Sequence, residues 1–253
     1  MAQPVTIITG ASTGIGAALA LELAARGHAV GLIARRPELL AELALKIEAS
    51  GGKVAYAPAD VTDRLDVADA VAKLERTLGP CTLFVANAGI GGPTPAHKAN
   101  FDDVGRIVNV NIDGVLHSIA AVLPGMVARG NGHIAAVSSV AGFRGLPGSA
   151  AYSATKAFVT TFLESFRLDL RSRGIAVTAI HPGFIETPLT SKNKFKMPWL
   201  MKADKAARII ANGLEKRRSE VTFPWQMYLL MHLARIAPNW LYDAVIGRAA
   251  PMK

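Results

Sequence analysis

The chain has 253 residues, 51% hydrophobic and 19% charged, which excludes a disordered polymer and fits one well-cored globular domain. A net charge of +9 suits a phosphorylated ligand, an acidic membrane surface or nucleic acid, but no helix-turn-helix, zinc finger or aromatic–basic platform accompanies it, which argues against nucleic acid. The single cysteine, Cys81, rules out an intramolecular disulfide framework and a cysteine-built metal site.

The start of the chain, Met-Ala-Gln-Pro-Val, enters a strand pattern without a basic and apolar leader. No uninterrupted apolar stretch approaches ~18 residues, so a spanning helix is not expected and a cytoplasmic protein is. Val5–Thr9 reads as the first strand. The loop Gly10-Ala-Ser12-Thr13-Gly14-Ile15-Gly16 follows, and then a helix from Ala17 to Arg26 that stops at Gly27. His28 to Ala34 is the second strand, and Pro37 opens a helix at a position where its missing N–H costs nothing. Val54 to Ala59 is the third strand, Leu65 to Leu78 a helix, and Leu83 to Ala86 the fourth strand, with Cys81 beside it as a small buried hydrophobe. A long helix is expected from Phe101 to Arg129, bent or ended near Pro124. His133 to Val137 is the fifth strand. A helix through Tyr152 runs to about Arg173, and Ile175 to Ile180 is the sixth strand. Short apolar strands separated by helices indicate a parallel sheet buried on both faces. The fold class is therefore α/β: a doubly wound, Rossmann-type parallel sheet flanked by helices, with residues 1–253 as a single domain.

Beyond Pro182-Gly183 the pattern loosens. Residues 184–205 read as a substrate lid carrying Lys192, Lys194, Lys196 and Lys202, either solvated or facing an anionic substrate. Lys202 to Arg218 is helical, Glu220 to Phe223 a short strand, and 224–253 an apolar C-terminal extension. Apolar groups occupy most of the circumference of the Trp225–Gly247 segment. That favours burial against the domain, a partner subunit or the substrate mouth, with peripheral membrane contact as the alternative.

Two motifs carry chemistry. Glycines in a loop after a first strand and before a helix allow a tight turn, close approach of backbone to a pyrophosphate, and phosphate binding at the helix N-terminus. Tyr152 and Lys156 lie four residues apart, on one face of a helix. A cation near a phenol favours the phenolate, which turns a poor proton shuttle into a usable general acid/base. After the second strand, where a carboxylate selects NAD by holding the ribose 2′-hydroxyl, the chain has Arg35-Arg36. Two guanidiniums attract a 2′-phosphate, so NADP(H) is the expected cofactor.

With the Gly-x-x-x-Gly-x-Gly spacing and Tyr152/Lys156 together, the chain resembles the short-chain dehydrogenase/reductase family over about Val5 to Pro188. The resemblance extends residue by residue. Asp60, with Val61, stands where the family contacts adenine; Asn87-Ala88-Gly89 matches the family's Asn-Asn-Ala-Gly with Ala86 replacing its first Asn; Asn111 stands at the structural and catalytic asparagine. Ser139 lies thirteen residues before Tyr152 at the family's substrate-binding serine. Pro182, Gly183, Ile185 and Thr187 match the segment that holds the nicotinamide. The resemblance implies that Ser139 bonds the substrate oxygen, that Tyr152 exchanges a proton with it while hydride passes to or from the nicotinamide, that Lys156 lowers the Tyr152 pKa and holds the ribose, and that Asn111 positions a water for proton resupply.

Ser138 competes with Ser139, but adjacent strand residues face opposite sides and the spacing selects Ser139. Phe143 and Phe184, with Ile90 and Leu146, are expected to line an apolar substrate pocket. His181 is expected to be a packing histidine, and His97, His117, His133 and His232 lack metal-ligand spacing, so no metal is expected. The expected function is interconversion of a carbonyl and an alcohol on a hydrophobic ketone, aldehyde or secondary alcohol. A non-catalytic NADP(H) sensor and an extended-type epimerase or dehydratase are the alternatives. The extended C-terminus favours a homodimer over the family's usual tetramer.

Overall fold

The computed structural model describes residues 3–191, 193 and 196–249; Lys192 and Lys194 of the expected lid lie outside them, as does the chain beyond 249. Seven strands, β1 (Val5–Thr9), β2 (Ala29–Ala34), β3 (Val54–Pro58), β4 (Leu83–Ala86), β5 (Gly132–Val137), β6 (Ile175–Pro182) and β7 (Glu220–Phe223), form one sheet. Their order is β3-β2-β1-β4-β5-β6-β7, and every pairing is parallel. The direction of winding reverses between β1 and β4, which opens a crevice at the carboxyl ends of those strands.

Successive residues of the central strands face opposite cores, as the period of two requires. Ile8, Leu32, Val85 and Ala135 face one apolar cluster, formed with α1 (Gly14–Ala25), α2 (Pro37–Ala49) and α7 (Ala203–Glu215). Ile7, Ile33, Phe84 and Ile134 face the other, formed with α3 (Arg64–Leu78), α5 (Gly114–Arg129) and α6 (Ala150–Leu170). Burial on both faces explains why the strand segments read as unbroken apolar runs. Cys81 is fully buried, and its surroundings push its thiol up to about 12.

Most expected elements stand within a few residues of their sequence boundaries, and the differences have physical causes. The first helix begins at Gly14, because the glycine-rich loop winds into helix earlier than its composition suggests. Asp63 caps α3 by accepting hydrogen bonds from the Leu65 and Asp66 amides. The long Phe101–Arg129 helix is interrupted, though not at Pro124. It comprises α4 (Phe101–Val108), a wide π-turn at Asn109–Asp113, and α5, which runs through Pro124 to Arg129. By length and composition this run is apolar enough to cross a membrane, contrary to the expectation that no stretch would be. Its Ile107, Val115, Ile119, Val122 and Met126 are instead buried in the protein.

The extension is two helices, α8 (Trp225–Ile236) and α9 (Asn239–Ala249), broken at Ala237-Pro238. Met227 and Met231 of α8 pack on Val140, Phe143, Leu146 and Phe184 as a small third core. Arg144 clasps the corner between the two helices. Its guanidinium donates to the Arg235 and Ala237 carbonyls at 3.2 and 3.1 Å and to Asn239 Oδ1 at 2.7 Å. It also lies 4.4 Å from the centre of the Tyr242 ring, whose hydroxyl donates to the Gly145 carbonyl.

Candidate active site

The loop between β1 and α1 is shaped by what its glycines lack. Gly10 has φ +65°, and a Cβ there would stand 2.7 Å from the Ala88 Cα. At Gly16 a Cβ would meet the Gly10 carbonyl oxygen and lie 2.5 Å from Asn87 Nδ2, so only glycine fits. Asn87 Nδ2 donates to the Thr9 and Gly10 carbonyls, and Thr9 Oγ1 accepts from the Asn87 and Ala88 amides. These bonds lock the end of β4 against the loop. Thr13 caps α1 without a side-chain hydrogen bond, so the first amides of the helix, at Ile15 and Gly16, keep their donors for an anion. Thr187 lies over the loop, its Cγ2 3.0 Å from where a Gly14 Cβ would be.

The next part of the cradle is cationic. Arg36 Nη2 donates to Ser12 Oγ at 3.2 Å, which brings the end of β2 to the glycine-rich loop. Arg35 is exposed and lies 3.8 Å from Asp60, whose carboxylate also accepts from the Thr62 amide and hydroxyl. Val61 is buried beneath, its carbonyl bonded to His117 Nδ1. The bare backbone of the loop, the uncapped helix terminus and the two guanidiniums form a donor set that fits a dinucleotide.

Tyr152 and Lys156 lie in the first two turns of α6, near a short turn at Val140–Gly142. Gly142 allows that approach, since a Cβ there would lie 2.7 Å from the Lys156 carbonyl carbon. The Lys156 Nζ is 5.7 Å from the Tyr152 ring centre and donates to the Val137 carbonyl at 2.7 Å. Lys156 is 4% exposed, and burial lowers its ammonium from 10.5 to about 8. Burial acts on Tyr152 in the opposite sense, raising its phenol, and a hydrogen bond with Ser139 is what draws it down. The expectation that Lys156 itself makes the phenol acidic is therefore corrected for the bare protein: the ammonium stands over the ring and is tied to the backbone, and burial sets the direction of the phenol's shift.

The two serines divide as the alternation requires. Ser138 Oγ donates to the Lys156 carbonyl at 2.7 Å and bonds Thr160 Oγ1 at 2.9 Å, so it braces α6. Ser139 Oγ accepts from the Ala141 amide at 3.1 Å, is 3.4 Å from the Pro182 carbonyl and reaches Tyr152.

Asn111 occupies the π-turn, fully buried. Its Oδ1 accepts from the Ile90 amide, and its Nδ2 donates to the Ile90 carbonyl and to Thr155 Oγ1. Both amide hydrogens are used, which leaves one lone pair on Oδ1 for a water. A Cβ on Gly89 would lie 3.3 Å from Asn111 Oδ1 and 3.4 Å from Lys156 Nζ, so the two side chains converge on that glycine. Thr155, unassigned from the sequence, links this asparagine to the Tyr152 carbonyl through its hydroxyl. Thr9 and Gly142 are likewise positioning residues that composition does not mark.

Pro182 is buried, and the Gly183 amide donates to the Phe223 carbonyl at 2.7 Å. Ile185 pairs with Met201 as an isolated bridge, which brings the two ends of the segment expected to be a lid together, and Lys196 and Lys202 are exposed on it. Phe143 is 8% exposed and meets the His232 and Tyr228 rings edge-on and the His181 ring at a tilt, so it supports α8 from below; Phe184 packs beside it, partly exposed. His181 is a packing residue, as expected: its ring bonds Thr160, Thr222 and Glu220 and is 1% exposed. His181 in turn holds the Glu220 carboxyl down at about 2.

The short chain dehydrogenase family model matches residues 4–197. An uncharacterised oxidoreductase of Myxococcus xanthus is 43% identical over 248 residues, 98% of either chain. The NADP-dependent 3-hydroxy acid dehydrogenase YdfG of Escherichia coli is 35% identical over 193 residues, 76% of this chain and 77% of its own. The crystal structure of a short chain dehydrogenase/reductase from Burkholderia phymatum in complex with NAD superposes with a TM-score of 0.86 over 99% of this chain and 97% of that one; at 22% identity it speaks for the fold alone. A family model spanning most of the chain and a relative aligned end to end agree with the sheet order and the converged tyrosine, lysine, serine and asparagine: the chain belongs to the short-chain dehydrogenase family of oxidoreductases.

Proposed function

We propose that this oxidoreductase is an NADP(H)-dependent enzyme that interconverts a carbonyl and an alcohol on a hydrophobic substrate. The observation that carries the reading is the meeting of Ser139 and Tyr152 hydroxyls beside a buried Lys156. Gly10, Ser12, Thr13, Gly14, Ile15 and Gly16 would hold the pyrophosphate, Asp60, Val61, Asn87, Ala88 and Gly89 the adenosine side, and Pro182, Gly183, Ile185 and Thr187 the nicotinamide. Arg35 and Arg36 would bind the 2′-phosphate. The bound cofactor supplies or accepts the hydride.

Ser139 donates a hydrogen bond to the substrate oxygen and orients its carbon. Tyr152 protonates that oxygen during reduction and takes the proton back during oxidation. A phenol raised by burial suits the donor role, and polarisation through Ser139 limits the rise. Lys156, held by Val137, waits with its ammonium near Gly89 and Asn111, where a water on the free lone pair of Asn111 would return the proton. Phe184 and the underlying Phe143 give the entrance an apolar wall.

Tyr152→Phe keeps the ring and removes the proton. Turnover is expected to fall about 100- to 10,000-fold while NADPH affinity, read by fluorescence titration, stays within a few-fold. Undiminished turnover would remove Tyr152 from the chemistry. Comparing kcat/KM for NADPH and NADH tests the cofactor, and a preference for NADH would refute that assignment.

A further inference from the structure

Helix α8 presents two apolar faces. Met227 and Met231 point into the protein, while Trp225, Leu229, Leu233 and Ile236 lie on the opposite side at helical spacing. Trp225 is 69% and Ile236 77% exposed, and α9 adds Trp240 at 72%. Exposed apolar groups gathered this way mark an interaction surface. Against the start of α8 lies a groove of about 810 Å³, walled by Trp199 and Trp225 and edged by Lys202, Lys205 and Arg208. All three cations are exposed, and Asp204, the one acid lining the groove among the described residues, pairs with Arg208 at 3.0 Å.

We propose that this face docks on a bilayer surface containing anionic lipid. The tryptophans on the lid and on both helices match the amphipathic side chains that settle at the headgroup level. α8 carries one cation on its own circumference, Arg235, and the rest of the charge comes from the expected lid segment and α7. The apolar stripe can thus enter the acyl boundary while the lysines and arginine stay among the phosphates. A second copy fits less well. A two-fold contact brings each patch against its equal, and this rim offers its own cations little acidic complement.

Flotation of the full-length protein with phosphatidylcholine vesicles, with and without phosphatidylglycerol, tests the proposal. Binding is expected to the anionic vesicles, with little to the neutral ones, and to weaken as salt is raised. Lys202→Gln with Lys205→Gln and Arg208→Gln should lower the partition coefficient roughly fivefold per cation, on the order of 100-fold together. Leu233→Glu with Ile236→Glu should abolish flotation. In each variant an unchanged thermal midpoint confirms folding, and the surface cation variant keeps the reading independent of any effect on packing. No flotation on either vesicle, or equal binding to both, overturns the proposal. So does a dimer that the glutamate variant splits while vesicle binding is unaltered.

Discussion

Lys156→Met separates what the ammonium does for chemistry from what it does for stability. Burial brings the amine from 10.5 to about 8, which at neutral pH works against the folded state by on the order of 3 kcal/mol. Methionine fills similar space without charge, but leaves the Val137 carbonyl without its donor, at a cost of about 1–3 kcal/mol. The variant is therefore expected to be as stable as the parent or more stable by up to about 2 kcal/mol at pH 7, and inactive. The sharper test is pH. Between about 8 and 10.5 the unfolded lysine holds a proton that the folded one has released, so parent stability gains on the variant as pH rises through that window. Cys81 acts oppositely over an overlapping range, since its raised thiol stays protonated in the fold, but it is common to both proteins and cancels in the difference. Urea unfolding of both proteins from pH 7 to 10.5 measures this. A pH-independent difference, or a variant destabilised by several kcal/mol at pH 7, would refute the reasoning.

Ser138→Ala and Ser139→Ala should differ in catalysis rather than stability: each loses about 1 kcal/mol by urea unfolding, because each hydroxyl makes buried hydrogen bonds, but only the second loses most of kcat. Arg36→Ala removes the group that reaches Ser12, and KM for NADPH should rise about 10- to 100-fold while KM for NADH changes little, as steady-state kinetics would register. Gly16→Ala forces a methyl onto the Gly10 carbonyl and Asn87, and calorimetric titration should find dinucleotide binding lost. His133, lowered to about 4 by burial and by Arg217, remains neutral in the fold after the unfolded chain has protonated. Stability should accordingly fall as pH drops from 6.5 towards 4, and His133→Asn should flatten that part of the unfolding profile.

The parallel sheet was legible because burial on both faces leaves its mark strand by strand, as at Ile7 and Ile8. The dinucleotide loop was legible because close backbone approach excludes every side chain at Gly16. What the pattern hid were features that depend on distant contacts. The π-turn around Asn111 has no compositional sign, since its register is fixed by the edges of Ile90 and by Thr155. The electrostatics of Tyr152 reversed for the same reason: a spacing of four reports proximity, but not that both groups are withdrawn from water. The segment after Trp225 read as apolar over most of its circumference, and α8 has exposed apolar groups opposite its buried methionines. Which half would be covered depended on Val140 and Phe143, far away in sequence.

The Arg144 clasp divides the chain's labour. The tyrosine, lysine and serine all lie within residues 4–197, the stretch shared with the family model, whereas the partners of Arg144 at Arg235, Ala237 and Asn239 lie beyond it. One guanidinium thus fastens the stretch that handles the proton to the two helices that follow it. A substitution on the exposed face of α9 would therefore meet solvent and the Arg144 corner before it met any proton-handling group.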